Sequence, residues 1–408
     1  MRPDIRTLRS RNKINHIIDL FRHNGELSKM RVRQLSGYSM STVLAAFEQL
    51  EKDRMIVQTR VSDDEGRRGP KSTFYRLNAT RQLYFGITFN QAGIYSAIVS
   101  FSGEVIATRS EPLELDLTRA TFIARFRAHV RQMLSSHAEW AVAISTVALS
   151  LPGDSDTEQG VLRSYTFMPY LNHTNFRKLL KQLLPEKQCV VARNIAGFLS
   201  YLLLEPAIIS KYRTIFFLSL RSGPASGIIH EGRIITPAGE IGHMQVAGND
   251  QPCICGRTGC LDLLVSHQSL SEGMKKLLPK SHPLHGQAHL NVEDIVMLYR
   301  SGAAKYQTFL DDRFSLLANS LLDIANVLSP DAIVLSGQLF ECFEDPVQKM
   351  IELARRRFAD TGYIRNFSEA KMLYKSMGTE TSAIGLCYQA IKKDFDFLIE
   401  KKDECKTN

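Results

Sequence analysis

The feature that most constrains this chain is a cluster of metal-binding residue types in the run GEIGHMQVAGNDQPCICGRTGCLD, residues 239–262. The run contains four residues with suitable ligand atoms: His243, Cys253, Cys255 and Cys260. Three thiolates and an imidazole form the ligand set of a structural zinc site, in which protein atoms fill all four tetrahedral positions. Gly256 and Gly259 permit the backbone reversal that lets nearby sulfurs converge on one ion. The cluster predicts a zinc-braced loop; the alternative is a group of buried cysteines beside an unrelated histidine.

Length and composition bound the class of protein. At 408 residues the chain exceeds what one hydrophobic core usually supports, so two or three domains are expected. No uninterrupted apolar run approaches the roughly 20 residues of a membrane span, and the basic N-terminus lacks the apolar core of a signal peptide. We expect a cytoplasmic protein without membrane insertion. Its seven cysteines are too few for a disulfide scaffold in a chain of this length, and metal binding explains their clustering better.

Positive charge is concentrated at the N-terminal end. Residues 1–80 contain 16 Lys and Arg and 9 Asp and Glu, a net charge of +7, whereas the other 328 residues carry +2. This distribution is expected of a nucleic-acid-binding module joined to a nearly neutral body. A solvated basic face without a partner is the alternative.

Three apolar patterns at helical spacing fill the first fifty residues. The first predicts a helix that ends near Asn24, the second a short helix between Ser28 as N-cap and Gly37, and the third a helix capped by Ser39. Their predicted core residues are, helix by helix, Ile14, Ile17, Ile18 and Phe21; Val32 and Leu35; and Val43, Leu44, Phe47 and Leu50. The last two helices, joined by a glycine-containing turn, indicate a helix-turn-helix.

Two strands, Met55–Thr59 and Ser72–Leu77, are predicted to follow, and they enclose a polar, glycine-rich loop at residues 63–71. These additions predict a winged helix-turn-helix. The predicted DNA-contact residues are Ser39, Met40, Ser41, Thr42 and Ala45 on the third helix, with Ala46 beside them, and Arg67, Arg68 and Lys71 on the wing. None of the helix residues can make the bidentate contacts that dominate base readout, so we expect specificity to depend on the wing, DNA shape and dimer spacing. A winged helix that contacts protein instead of DNA is the alternative.

From residue 82 strand patterns alternate with helix patterns. Leu83–Phe89, Gly93–Phe101 and Val105–Ser110 are predicted as successive strands, followed by a helix from Thr118 and a strand at Ala143–Leu149. A second cycle is predicted with two strands, a long helix and a buried strand: Thr214–Leu220, Ser226–Ile235, Tyr306–Leu328 and Ala332–Leu335. The body is therefore predicted to be α/β with two related halves.

The run 239–262 resembles the signature of the ROK family, which joins sugar-responsive transcriptional repressors to sugar kinases. The resemblance rests on Gly239-Glu240-Ile241-Gly242-His243, the Cys-x-Cys-Gly-x-x-Gly-Cys spacing and the following Leu261-Asp262, with weaker matches from about residue 10 to residue 392. Family members often have glutamate where this chain has the shorter Asp262. The resemblance implies the repressor branch and a two-lobed actin-like, ribonuclease H-like sugar-kinase fold behind the winged helix-turn-helix.

The catalytic parts of a ROK kinase are incomplete in this chain. The stretch that matches its first phosphate turn, residues 86–93, has neither the aspartate nor the paired glycines. The kinase base is an aspartate after an asparagine, and here the pair is Asn194-Ile195, which cannot accept a proton from a sugar hydroxyl. In the second phosphate loop, residues 222–227, Pro224 removes a backbone N–H. We therefore predict that the protein is not an enzyme.

A sugar pocket can outlast the loss of catalysis. By motif match to the family, the predicted sugar-contact residues are Glu240, His243, Asp262, Asn194 and Gly153. Carboxylates and an amide can bond to sugar hydroxyls, and zinc would fix the loop that presents them. The alternative is that these groups only hold the zinc loop together.

The predicted domains are a DNA-binding domain at 1–80, an α/β lobe at 81–200, a second lobe at 201–392 and a tail at 393–408. The predicted partners are double-stranded operator DNA, a sugar or sugar-phosphate effector and a second copy of the chain in a homodimer or homotetramer. The resemblance adds a sugar-transport protein as a further partner. The alternative functions are an active sugar kinase with an added DNA-binding domain and a regulator controlled by a protein partner.

Overall fold

The structure, a computed structural model, describes residues 5–61, 72–114, 117–165, 167–357 and 371–404. For residues 5–12, 236–238, 356–357 and 394–404 it describes the backbone alone. The chain divides into two compact units. One unit comprises Met1–Gly197 and Ser382–Asn408, and the other comprises Phe198–Thr381. The prediction placed residues 382–392 in the second lobe, whereas they belong to the first unit. The physical reason is close packing, since a Cβ atom on Gly197 would overlap the carbonyl oxygen of Ser382.

The first unit begins with three helices and a small antiparallel sheet. The elements are α1 (Ile5–Asn24), β1 (Leu27–Ser28), α2 (Lys29–Ser36), α3 (Met40–Lys52), β2 (Ile56–Val61) and β3 (Thr73–Leu77). The strand order is β1-β3-β2, with every pair antiparallel. This is the predicted winged helix-turn-helix, in which α2 and α3 form the helix pair.

Local sequence signals set the ends of these helices. Ser28 accepts a hydrogen bond from the backbone N–H of Arg31 at the start of α2, and Gly37 ends this helix with a φ of 70°. Ser39 caps α3 by accepting from the backbone N–H of Thr42. These caps were expected because a side-chain oxygen satisfies an N–H that has no partner inside the helix.

The core of this module differs from the prediction at three positions. Leu35 and Leu44, predicted to be buried, are 37% and 48% exposed, whereas Ala46, placed near the DNA face, is only 5% exposed. The buried stripe of α3 is Val43, Ala46, Phe47 and Leu50. Ala46 lies between Val43 and Leu50 at helical spacing, so the stripe passes through alanine and leaves the larger Leu44 outside.

The rest of the first unit is built on a five-stranded mixed sheet. Its strands are β4 (Leu83–Asn90), β5 (Gly93–Ser100), β6 (Val105–Pro112), β7 (Ile144–Leu151) and β11 (Gln188–Arg193), and a small sheet holds β8 (Asp154–Asp156), β9 (Val161–Ser164) and β10 (Thr174–Asn175). The order is β11-β7-β4-β5-β6; β4 pairs antiparallel with β5 and parallel with β7. The helices are α4 (Arg119–Ser135), α5 (Ala138–Ala141), α6 (Phe176–Leu183) and α7 (Asn194–Leu202), which runs on into the second unit.

The second unit repeats this sheet. Its strands are β12 (Thr214–Leu220), β13 (Pro224–His230), β14 (Arg233–Gly239), β15 (Ala332–Ser336) and β16 (Lys371–Tyr374), in the order β14-β13-β12-β15-β16. The central strand β12 again pairs antiparallel with its successor and parallel with β15. Two five-stranded sheets with the same order and the same strand senses confirm the predicted duplication.

Helices and one unpredicted hairpin complete the second unit. The helices are α8 (Pro206–Ile209), α9 (Asp262–Val265), α10 (His267–Leu277), α11 (Val292–Arg300), α12 (Ala304–Leu328) and α13 (Pro346–Arg357), and α14 (Glu380–Glu404) closes the chain. The single strand predicted at Ser226–Ile235 is wrong. Glu231 and Gly232 adopt φ values of 50° and 70°, which turn the chain into the β13–β14 hairpin.

Each unit has its own apolar core. In the first, four phenylalanines from β4, α4 and α6 form an aromatic cluster: Phe89, Phe122, Phe126 and Phe176. In the second, buried residues of α12, including Leu310, Phe314 and Leu321, belong to a core that also contains buried residues of β12 and β15. Among the helices of the described residues, none is both long enough and apolar enough to cross a membrane.

Candidate functional site

The predicted metal ligands converge in the second unit. The ligand atoms of His243, Cys253, Cys255 and Cys260 all lie within 4.8 Å of one another. Cys253 Sγ is 3.7 Å from His243 Nδ1, and Cys255 Sγ is 3.5 Å from Cys260 Sγ. Two thiolates bound at ~2.3 Å to a tetrahedral ion lie about 3.8 Å apart, so this spacing fits zinc. No other such group of His, Cys, Asp or Glu occurs in the described part of the chain.

The loop reaches this geometry through a short helical turn and two reversals. A 3-10 turn, Ile241–His243, orients the histidine, and isolated bridges join Gln245 to Cys260 and Pro252 to Thr258. Gly259 adopts a φ of 78°, and a Cβ atom there would overlap the carbonyl oxygen of Asn249. A side chain at this position would therefore push the last cysteine away from the others.

The cluster contains thiols of very different acidity. The backbone N–H of Arg257 is the main cause that lowers the pKa of the Cys255 thiol to about 6. Burial is the main cause that raises the pKa of the Cys260 thiol to about 12. Because a bound metal ion needs thiolate ligands, metal binding would release the proton that Cys260 holds.

Asp262, a predicted sugar-contact residue, lies beside the second phosphate loop. A Cβ atom on Gly223 would lie 2.5 Å from Asp262 Oδ1, and one on Gly242 would lie 3.4 Å from Asp262 Cβ. Burial is the main cause that raises the pKa of the Asp262 carboxyl; Glu240 raises it further and His243 opposes them. The three predicted sugar-contact side chains of the second unit are therefore electrostatic neighbours.

The other two predicted sugar-contact residues lie in the first unit. Asn194 begins α7, and its Oδ1 accepts hydrogen bonds from Ser150 Oγ at 2.5 Å and Thr88 Oγ1 at 3.2 Å. Ser150 Oγ also lies 2.5 Å from Ser382 Oγ. Gly153 follows β7 with a φ of 60°. The carboxamide nitrogen of Asn194 is the part of that side chain which this hydroxyl network does not use.

The hydroxyl network around Asn194 was missed from the sequence. Thr88 and Ser150 both lie near the carboxyl ends of the parallel strands β4 and β7, where ligands of open α/β sheets bind. That position was the available signal. Ser382 lies 232 residues along the chain from Ser150 and outside every motif used in the prediction, so the sequence carries no comparable sign of their contact.

The residues predicted to match the first phosphate turn of a kinase hydrogen-bond to one another. Asn90 Oδ1 accepts hydrogen bonds from the backbone N–H groups of Ala92 and Gly93, at 2.9 and 3.1 Å, so the first turn uses its donors internally. Ile195, which the motif match placed at the position of the kinase base, is apolar and 5% exposed.

The predicted DNA-contact residues of α3 lie at the start of this helix. Ser39, Ser41 and Ala45 are exposed, and Met40 and Thr42 are half-buried. Ser39 Oγ lies 2.9 Å from Thr42 Oγ1 and 3.0 Å from Ser41 Oγ. The predicted wing contacts, Arg67, Arg68 and Lys71, lie outside the described residues.

Comparison with known proteins supports the resemblance seen in the sequence. The family model described as "ROK family" matches residues 86–393. The xylose repressor of Bacillus subtilis is 22% identical over 386 residues, which cover 92% of this chain and 94% of the repressor.

Solved structures share the fold. A ROK family transcriptional regulator, described as a homologue of the Escherichia coli Mlc protein, aligns with a TM-score of 0.73 at 18% identity and covers 97% of this chain and 99% of its own. A ROK hexokinase from Thermus thermophilus aligns with a TM-score of 0.58 at 17% identity and covers 76% of this chain and all of its own. The predicted fold, a winged helix-turn-helix before a two-lobed sugar-kinase fold, is confirmed.

Proposed function

This chain belongs to the ROK family, and from that premise we propose that it is a DNA-binding transcriptional repressor of carbohydrate uptake or metabolism genes. A sugar or sugar phosphate controls it. The observation that carries the proposal is the winged helix-turn-helix at α1–β3, which precedes the family-matching residues 86–393. The alignment with the Bacillus subtilis xylose repressor covers 92% of this chain and therefore extends into that module.

The reader of DNA in this proposal is helix α3, with the wing as a second contact. Ser39, Met40, Ser41, Thr42 and Ala45 approach the major groove, since the second helix of such a pair enters it. Arg67, Arg68 and Lys71 contact phosphates or the minor groove. The protein acts as a homodimer or homotetramer, because paired modules read paired half-sites about 34–36 Å apart.

Zinc has a structural role in the proposal. The spacing of the four ligand atoms supports a Cys3His site, in which His243, Cys253, Cys255 and Cys260 hold the ion. Because all four positions are filled by protein, the ion braces the loop and takes no part in chemistry. The loop in turn fixes Glu240 and His243, which precede the cysteines.

The effector is a sugar or sugar phosphate held by hydrogen bonds. The residues that we propose as contacts to its hydroxyls are those of the family motif match: Glu240, His243, Asp262, Asn194 and Gly153. The mutual electrostatic influence of Glu240, His243 and Asp262 supports this assignment for the second unit. A sugar-transport protein is a further partner that would act on the same regulator.

The protein binds the sugar without phosphorylating it. Phosphoryl transfer depends almost wholly on positioning and on charge stabilisation, and both are weakened here. Ile195 stands at the position of the general base, and Asn90 occupies the N–H groups of the first turn. These two replacements support a sensor instead of a kinase.

Two measurements on the full chain test the proposal. Selection from a random duplex library should enrich one sequence with two half-sites, and binding should weaken steeply with salt because Lys and Arg displace counterions. An assay of ADP release with ATP, magnesium and a panel of hexoses should stay at the background level. Sugar-dependent ADP release would establish the kinase alternative. If the selection enriches no duplex sequence, the proposal of a repressor is refuted.

A further inference from the structure

Helix α3 presents one large apolar side chain on its outward face. The exposed residues of this helix are Ser41, Leu44, Ala45, Glu48, Glu51 and Lys52. Leu44 is 48% exposed, while its neighbours Ser41 and Ala45 are small. Leu44 therefore projects further from the helix than Ser41 and Ala45 beside it.

We propose that Leu44 is a specificity-determining residue that contacts thymine 5-methyl groups in the major groove of the operator. The proposal rests on the DNA-binding function proposed above. The other exposed side chains near the start of α3 are hydroxyls and an alanine. The proposed contact of Leu44 therefore gives this helix a base preference.

The chemistry of the groove selects the partner of Leu44. Base pairs present hydrogen-bond donors and acceptors along the major-groove edge, and the thymine methyl is the apolar group among them. A leucine placed against a donor or acceptor would remove water from that group without replacing the hydrogen bond. Against a methyl group it buries apolar surface on both partners. Leu44 therefore favours A·T pairs at the positions it reaches.

Charge and neighbouring residues favour DNA over a protein as the occupant of this face. The module carries a net charge of +7 over residues 1–80. Helix α2, the partner of α3, contributes Lys29, Arg31 and Arg33, of which the two arginines are exposed. Leu44 is the one exposed large apolar side chain of α3, whereas an apolar protein interface needs a continuous patch.

Removing single methyl groups from the DNA tests the contact directly. The operator is first obtained by selection with the full-length protein, and each thymine is then replaced by deoxyuridine, which keeps every hydrogen-bonding group. We expect one or two positions per half-site where this replacement weakens wild-type binding roughly 4-fold per methyl group. Leu44→Ala should bind the unmodified operator more weakly and should lose the penalty at those same positions.

Leu35→Ala is the matched control, because Leu35 is also an exposed leucine, 37% exposed, but lies on α2. It should keep the full pattern of deoxyuridine penalties. If Leu44→Ala keeps the wild-type penalties, or if no thymine shows one in a tightly bound operator, the inference is overturned while the repressor function stands. If no duplex sequence is enriched at all, the repressor function and this inference fail together.

Discussion

His129 is fully buried in the first unit between a hydroxyl and a carboxylate. Its Nε2 lies 2.8 Å from Ser96 Oγ, and its Nδ1 lies 3.4 Å from Glu111 Oε2. Burial is the main cause that lowers the pKa of His129 below its ordinary value of 6.5; Arg109 lowers it further and Glu111 opposes both. The folded protein therefore holds this imidazole in its neutral form.

The lowered pKa makes the stability of the first unit depend on pH. A histidine whose pKa is lower when folded contributes stability above pH 6.5, and this contribution is lost as the pH falls through the folded pKa. His129→Gln removes the titrating group and keeps a hydrogen-bonding side chain. We expect a smaller fall in the urea midpoint of the variant than of the wild type between about pH 7.5 and about pH 5.

Trp140 is the single tryptophan of the chain and lies in the first unit, so its fluorescence reports the unfolding of that unit. His137 stacks on Trp140 with ring centroids 5.1 Å apart and can change its intensity, so the midpoint and not the intensity is compared. Equal falls in wild type and variant would show that His129 does not set the pH dependence.

For individual residues, the sequence predicted which side chains could bind a metal ion better than it predicted which side chains are buried. The four side chains that could hold a metal ion were visible because three of them are cysteines, a rare residue type, close together in the sequence. Leu44 and Ala46 were exchanged because hydrophobicity alone favours the larger side chain for the core. The helix rotation that decides between them is set by contacts with Phe21 and Tyr75, whose rings flank Phe47, and the order of residues in α3 does not encode those contacts.

Among the structural elements, the loop 239–262 contains the proposed zinc site. Cys260→Ser should lose the zinc that we expect at about one ion per chain in the wild type, because three ligands cannot close the tetrahedral site. Elemental analysis of the purified, dialysed protein measures this. Cys189→Ser, which changes a half-buried cysteine of the first unit, should keep the metal. A wild-type protein without bound metal would refute the zinc assignment.

The contact between α7 and the start of α14 makes a second prediction at this scale. Gly197→Ala should lower the free energy of unfolding by about 3 kcal/mol, the upper end of what overpacking costs, because the new Cβ meets the backbone of Ser382. Alanine is the better helix former, so propensity alone would give the opposite sign.

Gly286→Ala is the control for this change, because a Cβ atom there would meet nothing within 4 Å and Gly286 is not among the glycines with positive φ. It should change stability by less than about 0.5 kcal/mol. Thermal unfolding followed by far-ultraviolet circular dichroism compares the two variants. Equal stability of Gly197→Ala and wild type would mean that the two helices are not in contact as described.

Element ends were predictable where one residue decides them. Ser28 and Ser39 were expected as caps and Thr118 as the start of a helix, and each accepts a hydrogen bond from a backbone N–H in the first turn of its helix. The β13–β14 hairpin was missed because its turn, Glu231-Gly232, interrupts a run of strand-forming residues only briefly. The four-residue strand β16 was missed because it is short and pairs with β15, a strand that is distant from it in the sequence.

At the scale of the whole molecule, the presence of two related α/β halves was predictable, and the division of the chain between them was not. Alternating strand and helix patterns indicated two α/β halves, and both sheets have that form. The return of Ser382–Asn408 to the first unit depends on long-range packing at Gly86 and Gly197, where a Cβ atom would strike the backbone of Ala383 or Ser382. A glycine in the sequence does not show which distant segment packs against it, so these contacts could not be predicted.

The central claim is that a ROK chain without kinase chemistry uses its sugar to control an attached DNA reader. Fluorescence anisotropy of the selected operator with the full-length protein, titrated with neutral and phosphorylated sugars, tests it most directly. We expect one sugar to weaken operator binding at least about 5-fold, since coupling between two sites is usually of that size or larger. Unchanged operator affinity across the whole set of sugars would contradict the claim.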